Sequence, residues 1–158
     1  MGKQDIEQRW ENYRKANSDK PSARENELLK IFSLLNPRNG EKIWEVGTGN
    51  GYLTFPIAEA VGETGEIIST DVNQGNISDV TNKNLEKKLK IEAKLLSIDS
   101  PLLDDEYIGY FDSVATIATL HHFDNRNKNT GETGRTNAIH TFYKTLKKGG
   151  RLVMSDPL

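Results

Sequence analysis

The chain has 158 residues, 35% hydrophobic and 28% charged, with 21 Lys and Arg against 23 Asp and Glu for a net charge of -2. That length supports one domain with its own core, and the charge balance supplies no electrostatic footprint for nucleic acid or an anionic membrane. The absence of cysteine excludes disulfides, thiolate metal sites and a cysteine nucleophile, and no run has the apolar length of a signal peptide or a bilayer span, so the chain reads as cytoplasmic.

Residues 3–16 are helix-prone and highly charged, and the spacing of Ile6, Trp10 and Tyr13 gives them one thin apolar face. A second helix is expected after Pro21, with Leu28, Leu29, Ile31, Phe32, Leu34 and Leu35 as a broad buried stripe. The run Asn36-Pro37-Arg38-Asn39-Gly40 ends it with turn chemistry. Residues 1–40 are therefore expected to form an N-terminal helical cap on a unit spanning 41–158.

From residue 41 onward, short apolar runs alternate with amphipathic stretches, as in a βαβ series. Strands are expected near 42–47, 66–70, 92–98, 111–117 and 150–155, with helices near 51–61, 74–89 and 136–147. The pattern predicts a doubly wound, Rossmann-like α/β fold: a mostly parallel sheet in the order 3-2-1-4-5 with helices on both faces. Phe123 to Asn137 is almost devoid of apolar residues and is expected to be a long loop.

The first strand ends in Glu45-Val46-Gly47-Thr48-Gly49-Asn50-Gly51 and runs directly into the apolar stretch Tyr52 to Ala58. Glycines there permit a tight strand-to-helix turn and close approach of backbone N–H groups to a ligand. Pro56 is compatible with a helix that begins near Leu53. A dinucleotide-binding fingerprint would need its third glycine one residue later, where Tyr52 stands. That spacing disfavours a nicotinamide oxidoreductase.

Gly-x-Gly-x-Gly preceded by Glu45 resembles the first motif of the class I S-adenosylmethionine-dependent methyltransferases. Further matches follow in order: Asp71 at the end of a strand twenty residues after Gly51, Asp99 at the end of the next, and Tyr110 to Phe123 with its Leu-His-His run. Leu146 to Met154 completes the series as helix end, glycine turn and fifth strand. The resemblance spans about Glu41 to Asp156 and is closest to the small-molecule and quinone branch.

The resemblance implies S-adenosylmethionine as cofactor, held by Glu45, Gly47, Thr48, Gly49, Asn50, Gly51, Asp71, Val72, Asp99 and Ile117. Asp71 would take both ribose hydroxyls; its other reading is an N-cap of the following helix. Asp99 would face the adenine amine or serve as a turn residue before Ser100-Pro101. His121 and His122, at the carboxyl edge of the sheet, are candidate catalytic bases. No metal is assigned, Asp124 and Asn125 giving only a hint and Asp156 lying too far along.

A small-molecule acceptor is favoured, since the Asn/Asp-Pro-Pro-Tyr run of amino-methylating enzymes is missing. A methyltransferase acting on RNA or protein stays open, as does a non-catalytic S-adenosylmethionine- or nucleotide-binding module or partner subunit. The resembled enzymes carry a hairpin after the fifth strand, so that strand's edge is expected to be covered by a homodimer partner or a missing C-terminal segment. The N-terminal segment, with Trp10 and Tyr13, is placed over the cofactor mouth instead.

Overall fold

The computed structural model describes residues 23–97, 100, 102–123 and 134–156. The expected first helix with Ile6, Trp10 and Tyr13, the carboxylate of Asp99, and Asp124 and Asn125 lie outside the described residues.

The elements run α1 (Ala23–Leu35), β1 (Lys42–Val46), α2 (Thr54–Val61), β2 (Glu66–Asp71), α3 (Gln74–Lys87), β3 (Ile91–Leu95), β4 (Phe111–Ile117), α4 (Gly134–Thr145) and β5 (Leu146–Ser155). Short 3-10 turns at Asp105–Tyr107 and Leu120–Phe123 flank β4. All pairings are parallel, in the order β3-β2-β1-β4-β5, as the alternating pattern predicts.

Central strands covered on both faces are mostly apolar, and in β1 Ile43, Trp44 and Val46 are buried, with Glu45 the buried charged exception. Its alternation divides the core. Ile43 belongs to a cluster with Ile57 and Val61 of α2 and Leu28, Ile31, Phe32 and Leu35 of α1. Trp44 and Val46 join Phe111, Val114, and Ala138 and Phe142 of α4 on the opposite face. The described part of the first 40 residues is thus continuous with the core of the sheet.

Several details depart from the sequence reading. Leu34 is 67% exposed, because the buried positions 28, 31, 32 and 35 lie on one side of α1 and residue 34 falls outside that arc. Strand β3 stops at Leu95, three residues short of the expected end. Helix α4 begins at Gly134, inside the stretch expected to be loop, and ends at Thr145. Strand β5 then starts at Leu146 and absorbs the glycine turn, with Gly149 at φ +81 and a register irregularity opposite Phe111 and Ser113.

Pro56 is the third residue of α2, where its missing N–H would have had no intrahelical partner. Strand β5 is the edge of the sheet, and among the described residues no strand pairs with its outer side. Helix α1 is nevertheless tied to it. Arg151 donates from Nη2 to both carboxylate oxygens of Glu41 at 2.9 Å and from Nε to the Leu35 carbonyl at 3.1 Å, and Ser155 Oγ donates to Glu27.

Candidate active site

The carboxyl ends of β1, β2 and β4 meet at the point where the strand order reverses, the usual ligand position in an open α/β sheet. The chain leaving β1 is drawn toward β2: the N–H groups of Gly47 and Thr48 both donate to the Thr70 carbonyl, at 2.8 and 3.0 Å. Thr48 then closes a tight turn by accepting from the Gly51 N–H at 3.0 Å.

Gly47 has φ +84, and a Cβ there would stand 2.2 Å from Thr119 Oγ1. The lack of a side chain lets the segment after β4 lie directly against the segment after β1. Thr119 Oγ1 lies 2.8 Å from the Ile117 carbonyl and 3.3 Å from that of Val46, joining the two strand ends.

Asp71 braces the glycine turn. Its Oδ2 accepts from the Gly49 N–H at 3.1 Å and from Asn76 Nδ2 at 3.0 Å, while Oδ1 accepts from the Asn73 N–H at 2.9 Å. The N-cap of α3 is Asn73, whose side chain accepts from the Asn76 N–H. Asp71 is therefore not the N-cap of α3, which was its other reading.

Beneath the turn lies Glu45, 2% exposed. Its Oε2 accepts 2.5 Å hydrogen bonds from Thr54 Oγ1 and Ser69 Oγ, and Thr48 Oγ1 lies 2.8 Å from Thr54 Oγ1. One carboxylate thereby links β1, the turn, α2 and β2. Burial pushes the Glu45 carboxyl up to about 7, against the opposing pull of hydrogen bonds from Ser69 and Thr54.

A cavity of about 470 Å³ opens over these strand ends. Gly47, Gly49, Asp71, Val72, Ile117 and His122 line it, as does Asn76. Its remaining wall includes Leu96, Ala118, Thr119 and Phe123. Glu45, Thr48 and Asn50 instead border a minor cleft of about 30 Å³ that shares Gly47, Gly49 and Ile117. Gly51 lines neither; a Cβ there would meet the Phe55 ring at 2.7 Å.

The two histidines part company. His122 reaches the cavity wall, whereas His121 does not and places Nδ1 2.6 Å from Asp156 Oδ1. The two rings lie 3.9 Å apart between centroids.

Residues 37–158 match a family model described as a methyltransferase domain. The chain belongs to the methyltransferase domain family. Its fold is that of the class I, S-adenosylmethionine-dependent branch, and it superposes on an S-adenosylmethionine-dependent O-methyltransferase of Thermotoga maritima with a TM-score of 0.61 at 19% identity, over 80% of this chain and 42% of that one.

A ubiquinone/menaquinone biosynthesis C-methyltransferase of Stutzerimonas stutzeri is 32% identical over 134 residues, covering 82% of this chain and 47% of that protein. A tRNA adenine-N1-methyltransferase of Methanocaldococcus jannaschii is 33% identical over 89 residues, covering 55% of this chain and 31% of that protein. The methyltransferase chain thus spans about half the length, or less, of these curated relatives.

For a methyltransferase domain, the site holds more than its sequence motifs announce. Asn76 orients Asp71, Thr119 welds the β4 turn to β1, and Asp156 holds His121. Asp156 was legible in principle: β4 and β5 are neighbours with Ile117 opposite Ser155, so the residue after Ser155 falls beside the turn after β4. Asn76 and Thr119 carry no such signal, being ordinary polar residues in a helix turn and a loop.

Proposed function

We propose that this chain binds S-adenosylmethionine in the 470 Å³ cavity and transfers its methyl group to a small-molecule acceptor. The observation that carries this reading is the cavity itself: Gly49 and Asp71 form one wall, and Ala118, His122 and Phe123 the other. The volume suits a cofactor of this size. A Cβ on Gly49 would meet nothing within 4 Å, so the turn there is open to a ligand. Val72, Leu96 and Ile117 offer apolar surface for a flat heterocycle.

The bound cofactor supplies a methyl group made electrophilic by its sulfonium. The protein supplies position, worth more in such a reaction than acid-base help. The carboxylate of Asp71, held by Gly49, Asn73 and Asn76, retains an acceptor site on Oδ1 for a ligand hydroxyl. His122, on the cavity wall, takes up the proton of an acceptor that arrives protonated. A small acceptor is supported by the longer similarity to the quinone C-methyltransferase, 82% of this chain against 55% for the tRNA enzyme.

Calorimetric titration with S-adenosylmethionine tests the reading. Asp71→Ala is expected to weaken binding by roughly 1–3 kcal/mol, the cost of leaving hydrogen-bond partners of a charged group unpaired. Unchanged affinity, or no binding by the unaltered chain, would overturn it. Mass spectrometry of candidate phenols and quinones after incubation with the loaded protein tests transfer.

A further inference from the structure

The pair formed by His121 and Asp156 sits one ring away from the cavity, and neither residue lines it. Two backbone bonds flank this pair. The β4–β5 ladder extends one step past the strands, with the Ala118 N–H donating to the Ser155 carbonyl at 2.7 Å. Ala118 itself is held at φ +48, a conformation costly for a residue with a Cβ. Backbone kept in that region beside a cavity is a common mark of a site whose geometry is imposed by its surroundings. The 3-10 turn that follows is closed by the His122 N–H, which donates to the Thr119 carbonyl at 3.0 Å.

We propose that Asp156 is a positioning residue, which fixes the His121 ring and through it seats the His122 imidazole against the cavity. An ionised carboxylate can only accept, so the 2.6 Å contact requires a proton on His121 Nδ1. In the Nδ1-protonated tautomer this leaves Nε2 as the acceptor, and the contact locks the plane of the imidazole. The locked ring lies 3.9 Å from that of His122 at 42°, which restricts the rotamers His122 can visit. A carboxylate one ring away also offsets the positive charge that His122 acquires when it takes a proton from the acceptor. That proton then passes to water at the mouth.

The catalytic half of this inference rests on the methyl-transfer reading above, so the test has an arm that needs neither cofactor nor turnover. The chain holds three histidines, and His140→Gln simplifies the ring spectra. Long-range proton–nitrogen NMR of the unliganded chain is expected to show His121 protonated at Nδ1. Asp156→Ala should shift most of that population to the Nε2-protonated tautomer and displace the ring signals of His122. Asp156→Asn should keep the Nδ1 proton through its amide oxygen, and it guards against a folding failure of the alanine variant.

In methyl transfer, Asp156→Ala should lower kcat by roughly tenfold, less than the loss of about 10²-fold or more expected on removing a general base outright. Its S-adenosylmethionine Kd should stay within about twofold of the original, and Asp156→Asn should recover part of kcat. A wild-type His121 protonated at Nε2 and not at Nδ1, or unmoved His122 signals in Asp156→Ala with a native backbone spectrum, would overturn the proposal. An intact NMR result without cofactor binding would instead overturn the functional reading and leave the positioning role standing.

Discussion

Replacing Glu45 by glutamine isolates the energetic effect of a buried carboxyl beneath the glycine turn. Burial, opposed by hydrogen bonds from Ser69 and Thr54, raises this group from 4.5 to about 7. In the unfolded chain it titrates near its ordinary value. Between those limits the folded protein binds a proton that the unfolded chain has released, so stability falls as pH rises. The contribution is fully present below about 4.5 and is lost as pH climbs to about 7 and beyond. At about 1.4 kcal/mol per pKa unit, the change across that window is roughly 3 kcal/mol.

Glutamine keeps an acceptor for Thr54 Oγ1 and Ser69 Oγ but does not titrate, so its stability should be flatter over the same window. Asp112, whose carboxyl is held below 3.8 mainly by the Lys42 N–H and Lys147 despite its partial burial, acts in the opposite sense and only at lower pH. Urea denaturation at pH 5 and pH 8 gives the comparison. The unaltered chain should lose roughly 2–3 kcal/mol more than Glu45→Gln between the two. Parallel losses in both proteins, within about 0.5 kcal/mol, would refute the assignment of a shifted titration to Glu45.

Gly47→Ala combines φ +84 with a Cβ 2.2 Å from Thr119 Oγ1, so it should cost roughly 2–5 kcal/mol by urea denaturation, the sum of left-handed strain and overpacking. Gly49→Ala, at φ +53 with nothing within 4 Å, should cost only the conformational part, roughly 1–2 kcal/mol; equal losses would count against the close approach of Thr119. Ala118→Gly should leave stability unchanged or raise it by about 1 kcal/mol, since relief of the positive φ exceeds the added freedom of the unfolded chain. A loss of stability there would mean that the Ala118 methyl packs more usefully than its strain costs.

The fold was largely legible because its carriers are periodic. Apolar runs such as Ile43-Trp44 and Ile67-Ile68 are buried, as parallel strands between helices read, and their short length between amphipathic stretches sets them apart from helices. What misled was local. Leu34 extends an apolar run that a helix cannot bury on every side, and its exposure follows from rotation about the axis alone. The polar stretch before Asn137 reads as loop by composition, yet Gly134 already begins α4, whose inward residues Ala138 and Phe142 lie further on.

The candidate site was legible as a place in the fold, while the sequence did not separate the residues that line the cavity from those that support it. A glycine motif read from sequence credits every glycine with making room for a ligand. Here Gly47 and Gly51 make room for protein. Gly47 admits Thr119 from β4, and Gly51 admits Phe55, with Val80 of α3 also nearby. Only at Gly49 would a side chain enter open space. The spacing of the motif therefore records how tightly the elements must converge at the switch point, and the opening at Gly49 is what remains between the two packing glycines. Glu45 fits the same logic: it lines the minor cleft beneath the turn, not the main cavity, and bonds to Thr54 and Ser69, so its place in the motif is explained by the elements it ties together. A carboxylate serving that end need only be buried and well bonded, and sequence distance from the glycines alone does not distinguish it from one that, like Asp71, lines the cavity.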